Sequence, residues 1–261
     1  MTWDESLESS GARVFSGSFV ARFDGKGFSQ LTGRKEYCRP YDAGIASAME
    51  AAVERVISVL SPDFVYSISD EISAFFFARP GGQLPFGGKE NKIVSIGAAA
   101  AAVAFSIKAG TEADFDGRAF HCHDNMVKEY LISRIRSGFK NSVSRLAQCH
   151  FSAKSLHGVN TAEKIAALSK AGITYDDMPS DFKYGKYWFR EPVEVWSEVA
   201  GANIVRNRWC QLSPKYAIDD AAIAALEGTI GRLTSQGAAA PKPVPPDPTE
   251  RSVEASGQGS R

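Results

Sequence analysis

Two short acidic motifs are the parts of this sequence best suited to chemistry. Asp24 ends an apolar run in "FVARFDGKGF", and Asp70 and Glu71 stand in "FVYSISDEISAFF" between two runs of strand-forming residues. Like charges held close together repel each other, so clustered carboxylates persist where a cation neutralises them. Oxygen ligands favour a hard ion such as Mg²⁺, and a pair of such ions supports phosphoryl transfer. The motifs predict a two-metal site if the fold brings them together.

The order of predicted elements supplies that fold. A strand through Phe23 precedes a helix that Asp42 caps, two strands flank Ser69-Asp70-Glu71, and a small-residue helix and a last strand follow. This βαββαβ order predicts an α+β, ferredoxin-like core with further helices and strands after it. Its first and third strands are antiparallel neighbours in the centre of the sheet. The end of the first strand, with Asp24, should therefore lie beside Asp70 and Glu71.

The Asp-Gly-Lys-Gly loop after the first strand suits a phosphorylated ligand. Gly25 and Gly27 let the backbone approach a ligand closely, and peptide N–H groups of such a loop hold phosphate. Arg22, Lys26 and Lys92 supply positive charge to a triphosphate. Simpler interpretations exist for each motif alone: Asp-Gly is a common turn, Ser-Asp-Glu fits a solvated hairpin tip, and Asp42 fits a helix cap.

Composition restricts the function classes. The chain has 261 residues with 30 basic and 30 acidic side chains, which argues against a uniformly basic protein that coats nucleic acid. Its four cysteines are scattered without a CxxC motif, as in reduced cytoplasmic proteins. We expect no signal peptide and no membrane association, because the apolar run from Ile96 to Ile107 is short, rich in alanine and suited to a buried helix.

Four segments are predicted along the chain. The catalytic core should continue into a mixed C-terminal part of the same domain, and the last segment should be a disordered tail because it is rich in Pro, Ala and Ser. The predicted segments are an N-terminal extension (1–17), the ferredoxin-like core (18–125), the C-terminal part (126–235) and the tail (236–261).

Several motifs together resemble the tRNA-His guanylyltransferase family and its Thg1-like relatives. "FVARFDGKGF" resembles the family's R-x-D-G-R-x-F motif, and "YSISDEISAFF" resembles its S-D-E motif. "CRPYD", "FDGR" and "EYLISRIRSGFKNSVSRLAQ" resemble later family segments in the same order. The resemblance covers roughly Ser18 to Tyr187, and its first two motifs are specific as a pair.

The resemblance implies a polymerase-like palm that adds nucleotides in the 3′-to-5′ direction to the 5′ end of tRNA. ATP first activates a 5′-monophosphate, and the 3′-hydroxyl of a GTP or another nucleoside triphosphate then attacks the activated end. Homo-oligomers, dimers or tetramers, are also implied. The implied site comprises two Mg²⁺ ions on Asp24, Asp70 and the Gly25 carbonyl, with Glu71 as an accessory ligand or orienting group, and nucleotide contacts from Arg22, Lys26, Gly27, Phe28, Arg39, Ser69, Lys92 and Asn141.

One departure from the family pattern bears on the substrate. Strict tRNA-His enzymes carry a histidine followed closely by Asn-Asn, whereas Phe139 stands at the histidine position here and Ser142 follows Asn141. The sequence therefore looks closer to the Thg1-like proteins, which repair 5′-truncated tRNA by templated addition. Two alternatives remain open from the residues: a palm-type nucleotide cyclase, and a non-catalytic ferredoxin-like RNA-binding module. The basic residues after Tyr130 indicate either an RNA or triphosphate strip, with 136, 140 and 144 on one face, or a solvated helix surface.

Overall fold

The computed structural model describes residues 13–34, 36–79 and 82–213, together with 224, 227–229 and 231. The predicted tail at 236–261 and most of the predicted N-terminal extension lie outside the described residues.

Six strands form one sheet, and the order of the strands along the chain is close to the predicted order. Their bounds are β1 Phe19–Lys26, β2 Phe64–Ile68, β3 Glu71–Phe76, β4 Asp114–His121, β5 Lys186–Ser197 and β6 Ala202–Leu212. The helices are α1 Phe28–Leu31, α2 Ala43–Leu60, α3 Glu90–Ala109, α4 Asp124–His150, α5 Ala153–Leu156, α6 Thr161–Lys170 and α7 Ser180–Tyr184, with 3₁₀ turns at Pro85–Gly88 and Tyr175–Asp177.

The sheet order is β4-β1-β3-β2-β5-β6. β1 pairs antiparallel with β3 in the centre, with Asp24 opposite Glu71, and with β4 on its other side. The predicted α+β core with its βαββαβ order is therefore confirmed. β1 runs three residues beyond Phe23, where the sequence analysis ended it, because Asp24 to Lys26 continue the ladder with β4.

A hydrophobic core lies on each face of the sheet. On one face, α2 and α3 pack on alternate strand residues such as Phe19, Phe23 and Ile72. On the other face, α4 covers Val20, Phe75 and their neighbours. Because strand side chains alternate between faces, Asp24 and Glu71 share the α4 face, next to this second core. The acids therefore stand at the margin of a packed layer, where water is already partly excluded.

Helix α2 begins as the sequence predicts. The Asp42 carboxylate accepts hydrogen bonds from the backbone N–H groups of Ile45, at 3.0 Å, and Cys38, at 2.9 Å. The bond from Ile45 satisfies an orphan donor at the helix start, and the bonds from Cys38 and Ile45 together hold the pKa of Asp42 below its ordinary value.

Helix α3 is buried on one face only, which corrects the expectation of a buried helix. Gly97 approaches the Phe23 ring so closely that a Cβ would lie 2.2 Å from it. The opposite face exposes Ile96, Val103 and Ile107. By length and composition alone this helix could cross a membrane, and it is the single such helix among the described residues. Its contacts with β1 and α2 are those of a helix packed on a sheet.

The loop predicted after β1 contains the short helix α1, whose Phe28 and Leu31 are buried. The segment from 193 to 212 lies in the β5–β6 hairpin, and β5 also pairs with β2. The C-terminal residues therefore extend the same sheet that carries the acids.

Candidate active site

The acidic motifs meet where β1 ends and β3 begins. Asp24 lies opposite Glu71 in the ladder, and the Gly25 N–H donates to the Asp70 carbonyl oxygen at 3.0 Å. Residues nearly fifty positions apart in the chain therefore share one end of two neighbouring strands. This is the arrangement that the strand order predicted for Asp24, Asp70 and Glu71.

A two-residue turn, Ser69-Asp70, presents the second acid. Ser69 is in the left-handed region at φ 56°, where Gly or Asn is the usual residue, and such a conformation costs about 1 kcal/mol or more. Its hydroxyl donates to the Asp70 carboxylate at 2.8 Å, while Ser67 Oγ donates to the Glu71 carbonyl at 2.9 Å. The serines thus fix the turn and orient the Asp70 side chain, which a glycine would not do.

The electrostatics of Asp24 indicate a site with excess negative charge. Burial raises its pKa from 3.8 to about 6, with further contributions from Asp70, Glu71 and Asp116 that exceed the opposing effect of Arg22. A carboxylate in this environment gains from a nearby cation. A hard divalent ion therefore fits the donor set of two carboxylates, with the Gly25 backbone alongside.

Glu71 is committed to an ion pair. Arg134 of α4 donates from Nε to Glu71 Oε1 at 2.8 Å and from Nη2 to Oε2, and Ser73 Oγ also donates to Oε1. Both carboxylate oxygens are occupied, which favours the orienting role over the ligand role. Among the described residues, no group of three or more His, Cys, Asp or Glu side chains could hold a metal ion. The metal prediction therefore depends on two side chains and backbone oxygen.

The cationic residues of β1 and α3 lie in different surroundings. Arg22 is half-buried on the α4 face, and in the described part of the chain its Nε is buried without a hydrogen-bond partner, which suits an anionic ligand. Lys26 is exposed at the end of β1, and Lys92 is exposed on α3.

A cavity opens beside Asp70, which lines it, whereas Asp24 does not. Of the predicted nucleotide contacts, Phe28, Arg39, Ser69 and Asn141 line it. Arg22, Lys26, Gly27 and Lys92 stand outside its wall, so the predicted contacts divide between the acid cluster, the loop, the α3 surface and this cavity. Other wall residues include Asp42, Ile45, Met49, Glu50, Ile68, Asp70, Gly138, Arg145, Asp181, Phe182, Lys186 and Trp188.

Phe28 has a larger structural role than predicted. Its ring packs on Phe105 and Phe115, with centroids 4.9 and 5.3 Å away, and it is 4% exposed. A Cβ on Gly25 would lie 2.3 Å from the same ring. Phe28 therefore belongs to the core and holds the loop against the sheet, while one part of it contributes to the cavity wall. Gly27, at φ 72°, caps α1 and needs its glycine conformation.

The wall opposite α4 is held by a polar network that the sequence did not reveal. Tyr41 Oη donates to Asp181 Oδ2 at 2.8 Å, and burial together with Asp181 raises the Tyr41 pKa well above its ordinary value. Lys186 pairs with Glu50 and lies 3.8 Å from Asp181. The network joins α2, the loop before it, α7 and β5. Because its members are up to 140 residues apart, no local pattern in the sequence marks it.

Helix α4 faces the Ser69-Asp70 turn with residues other than those of the predicted basic strip. Arg134 contacts Glu71, Gly138 packs on Ile68, and Arg145 reaches Ser69. The residues of the predicted basic strip, 136 and 140, are exposed instead. The 11-residue spacing of the two arginines, about three helical turns, was a signal that could have placed them on one face.

Solved structures share this fold. The chain aligns with a bacterial tRNA(His) guanylyltransferase (Thg1)-like protein, in complex with ATP, at TM-score 0.72 and 24% identity over 86% of this chain and 96% of the other. It aligns with tRNA(His) guanylyltransferase from Saccharomyces cerevisiae at TM-score 0.60 and 18% identity, over 78% and 96% of the two chains. Both likenesses are of fold.

The sheet with its paired acids has the palm-like architecture of these solved structures. Residues 6–125 match the family model of tRNAHis guanylyltransferase (Thg1), and this similarity is to a nucleotidyltransferase family. In sequence, the chain is 28% identical over 203 residues to tRNA(His) guanylyltransferase of Schizosaccharomyces pombe, over 67% of this chain and 74% of the relative.

Proposed function

We propose that this protein adds nucleotides in the 3′-to-5′ direction to the 5′ end of tRNA, after ATP-dependent activation of that end. The observation that carries the proposal is the meeting of Asp24 and Asp70 at one strand end beside a cavity lined by Arg39, Asn141 and Arg145. The similar proteins support the proposal. They are relatives named tRNA(His) guanylyltransferase, and bacterial Thg1-like proteins whose structures were solved in complex with ATP and with GTP.

Mg²⁺ would be held by Asp24, Asp70 and the Gly25 carbonyl. Burial, and after it the repulsion from Asp70, Glu71 and Asp116, raises the pKa of Asp24, and this repulsion supports the assignment because a bound cation would relieve it. Bound there, Mg²⁺ supplies charge neutralisation at a phosphate and activation of the attacking oxygen. Glu71 and Arg134 would then orient the cluster from α4.

Two transfers share this site. In the first, a 5′-phosphate oxygen of the RNA attacks the α-phosphorus of ATP, so that a P–O–P bond forms and pyrophosphate leaves. In the second, the 3′-hydroxyl of an incoming nucleoside triphosphate attacks the activated 5′-phosphorus, loses its proton and releases AMP. Asp70, fixed by Ser69, and Asp24 position the reacting phosphates, and Arg39 and Asn141 bind nucleotide in the cavity.

We place the activity nearer to templated repair of truncated tRNA than to tRNA-His alone. Phe139, at the family's histidine position, packs edge-on against Tyr175 at 5.6 Å and stacks on Tyr184 at 6.3 Å. An apolar ring committed to this cluster does not offer the hydrogen bonds of a histidine. Base choice by pairing with the opposite strand would make such contacts unnecessary.

The test is incubation with Mg²⁺, α-labelled ATP and a 5′-monophosphorylated tRNA that lacks its first nucleotide, followed by addition of unlabelled nucleoside triphosphates. We expect labelled AMP on the RNA and then its replacement by one or more added nucleotides. Cyclic AMP would instead identify a cyclase, and RNA binding without either product would identify a binding module. Each of those outcomes refutes the proposal.

Asp70→Ala should abolish both transfers and keep the circular dichroism spectrum of the wild type. Asp177→Asn is the matched control, because it removes an exposed acid outside the cavity wall. Normal turnover in the Asp70 variant would contradict the metal assignment. A full-length tRNA-His lacking only its extra 5′ nucleotide, run beside the truncated tRNA, measures the substrate preference.

A further inference from the structure

Arg145 is a cation at the wall of the cavity that has no acidic partner among the described residues. Its Nη1 donates to Ser69 Oγ at 3.1 Å and its Nη2 donates to Thr32 Oγ1 at 2.6 Å. Within the described ranges it forms no salt bridge, and its side chain is only partly exposed. Two neutral hydroxyls leave the charge and several of the five guanidinium N–H donors available to a ligand.

The position of Arg145 relative to Asp70 is fixed by one serine. Ser69 has a single hydroxyl proton, which it donates to Asp70 Oδ1 at 2.8 Å while it accepts from Arg145. Arg145 therefore lies one side chain away from a carboxylate proposed to hold Mg²⁺. The other buried cation of the wall, Lys186, is already neutralised by Glu50. Among the described residues of the cavity wall, Arg145 is therefore the partly buried cation that forms no salt bridge with an acid.

An arginine in this setting favours an anion with several oxygens. The planar guanidinium donates two parallel hydrogen bonds to phosphate oxygens, which lysine cannot match. The cavity also offers apolar surface from Ile45 and Met49 for a base or sugar. A phosphorylated nucleotide satisfies both sides of this cavity, with its phosphates toward the turn that carries Asp70.

We propose that Arg145 is a phosphate-binding residue of the nucleotide site, and that Ser69 and Thr32 hold its guanidinium in place beside Asp70. The assignment rests on the proposed function, and it adds a charged contact to a site otherwise built from β1, the Ser69-Asp70 turn, the loop before α2 and Asn141 of α4. It explains why the turn has a serine at φ 56°, since glycine would remove the acceptor of Arg145 Nη1 and leave Thr32 to hold the guanidinium alone.

The test measures binding of three probes to the full chain by calorimetry: ATP with a methylene group between its α- and β-phosphorus, inorganic tripolyphosphate, and adenosine. Arg145→Gln should weaken the ATP analogue and tripolyphosphate by about 10- to 100-fold, the range for loss of a charged hydrogen bond, and leave adenosine unchanged. Arg145→Lys should fall between, because it keeps the charge without the fork.

Lys170→Gln is the matched control, because it removes an exposed cation outside the cavity wall and should change none of the three affinities. Equal weakening of adenosine and tripolyphosphate by Arg145→Gln would show a purely structural role and overturn the assignment. Unchanged tripolyphosphate binding in both Arg145 variants would also overturn it. If the wild type transfers nucleotide and Arg145→Gln binds tripolyphosphate as tightly as the wild type, only this inference is refuted. If the wild type itself binds no triphosphate, the proposed function is refuted as well.

Discussion

Replacing Asp24 by Asn should change how stability depends on pH in the metal-free protein. The folded state raises the Asp24 pKa from 3.8 to about 6, so between these values it binds the proton more tightly than the unfolded chain does. The free energy of unfolding should therefore fall as the pH rises from about 4 to about 6. Asn is neutral at every pH, so this decline should disappear in the variant.

The size of the effect follows from the shift. A change of about 2 pH units corresponds to about 3 kcal/mol if it were fully expressed. Asp24 is half-exposed, and solvent and salt screen the repulsion, so we expect a gain of about 1 kcal/mol for Asp24→Asn at pH 7 to 8 and almost none near pH 4.

Urea unfolding in EDTA at several pH values between 4 and 8 measures this difference, with Asp177→Asn as the control for loss of an exposed acid. Repeating the series with Mg²⁺ should stabilise the wild type above pH 6, where Asp24 is ionised, and stabilise Asp24→Asn much less. Parallel pH profiles for wild type and Asp24→Asn, or equal stabilisation of both by Mg²⁺, would refute the electrostatic reasoning for the site.

Three further substitutions test the surroundings of the site. Arg134→Gln should cost about 2 kcal/mol in urea unfolding because it leaves Glu71 without its partner, and adding Glu71→Gln should restore part of the loss. Gly185→Ala should cost at least about 2 kcal/mol, because the residue has φ 78° and a Cβ would lie 2.4 Å from a backbone oxygen of β2; a wild-type melting temperature would contradict this. Tyr41→Phe removes the hydrogen bond to Asp181 and should lower the free energy of unfolding by about 1 kcal/mol. It should also raise the KM for ATP with little change in kcat. An unchanged KM would show that this hydrogen bond does not support the nucleotide site.

The acid cluster was predictable from sequence because strand order alone fixes it. Once β1 and β3 are central antiparallel neighbours, Asp24 and Asp70 must meet, whatever packs around them. The Asp42 cap was predictable for a similar reason, since its partner Ile45 lies three residues away. Both depend on local patterns or on a topology with few alternatives.

Contacts that depend on how α4 sits on the sheet could not be predicted. The pairings of Glu71 with Arg134 and of Ser69 with Arg145 depend on how α4 is rotated about its own axis. Basic and apolar residues are mixed almost evenly along α4, so its sequence does not specify that rotation. Phe28 was assigned to nucleotide binding because its motif carries function, whereas its burial against Phe105 follows from tertiary packing. The β5–β6 hairpin was ambiguous because its exposed outer half lacks strict alternation.

The row of α4 residues that faces the β2–β3 hairpin, called here the α4 ridge, restricts which insertions and deletions this enzyme can accept. Arg134, Gly138, Asn141 and Arg145 recur every three or four residues and touch or border the acid-bearing turn in succession. Removing or inserting one residue between 134 and 145 would rotate one end of the ridge by about 100° and disconnect it. Insertions and deletions should therefore be tolerated in the loops around this helix but not within it, because the spacing along the helix sets which side chains reach the active centre.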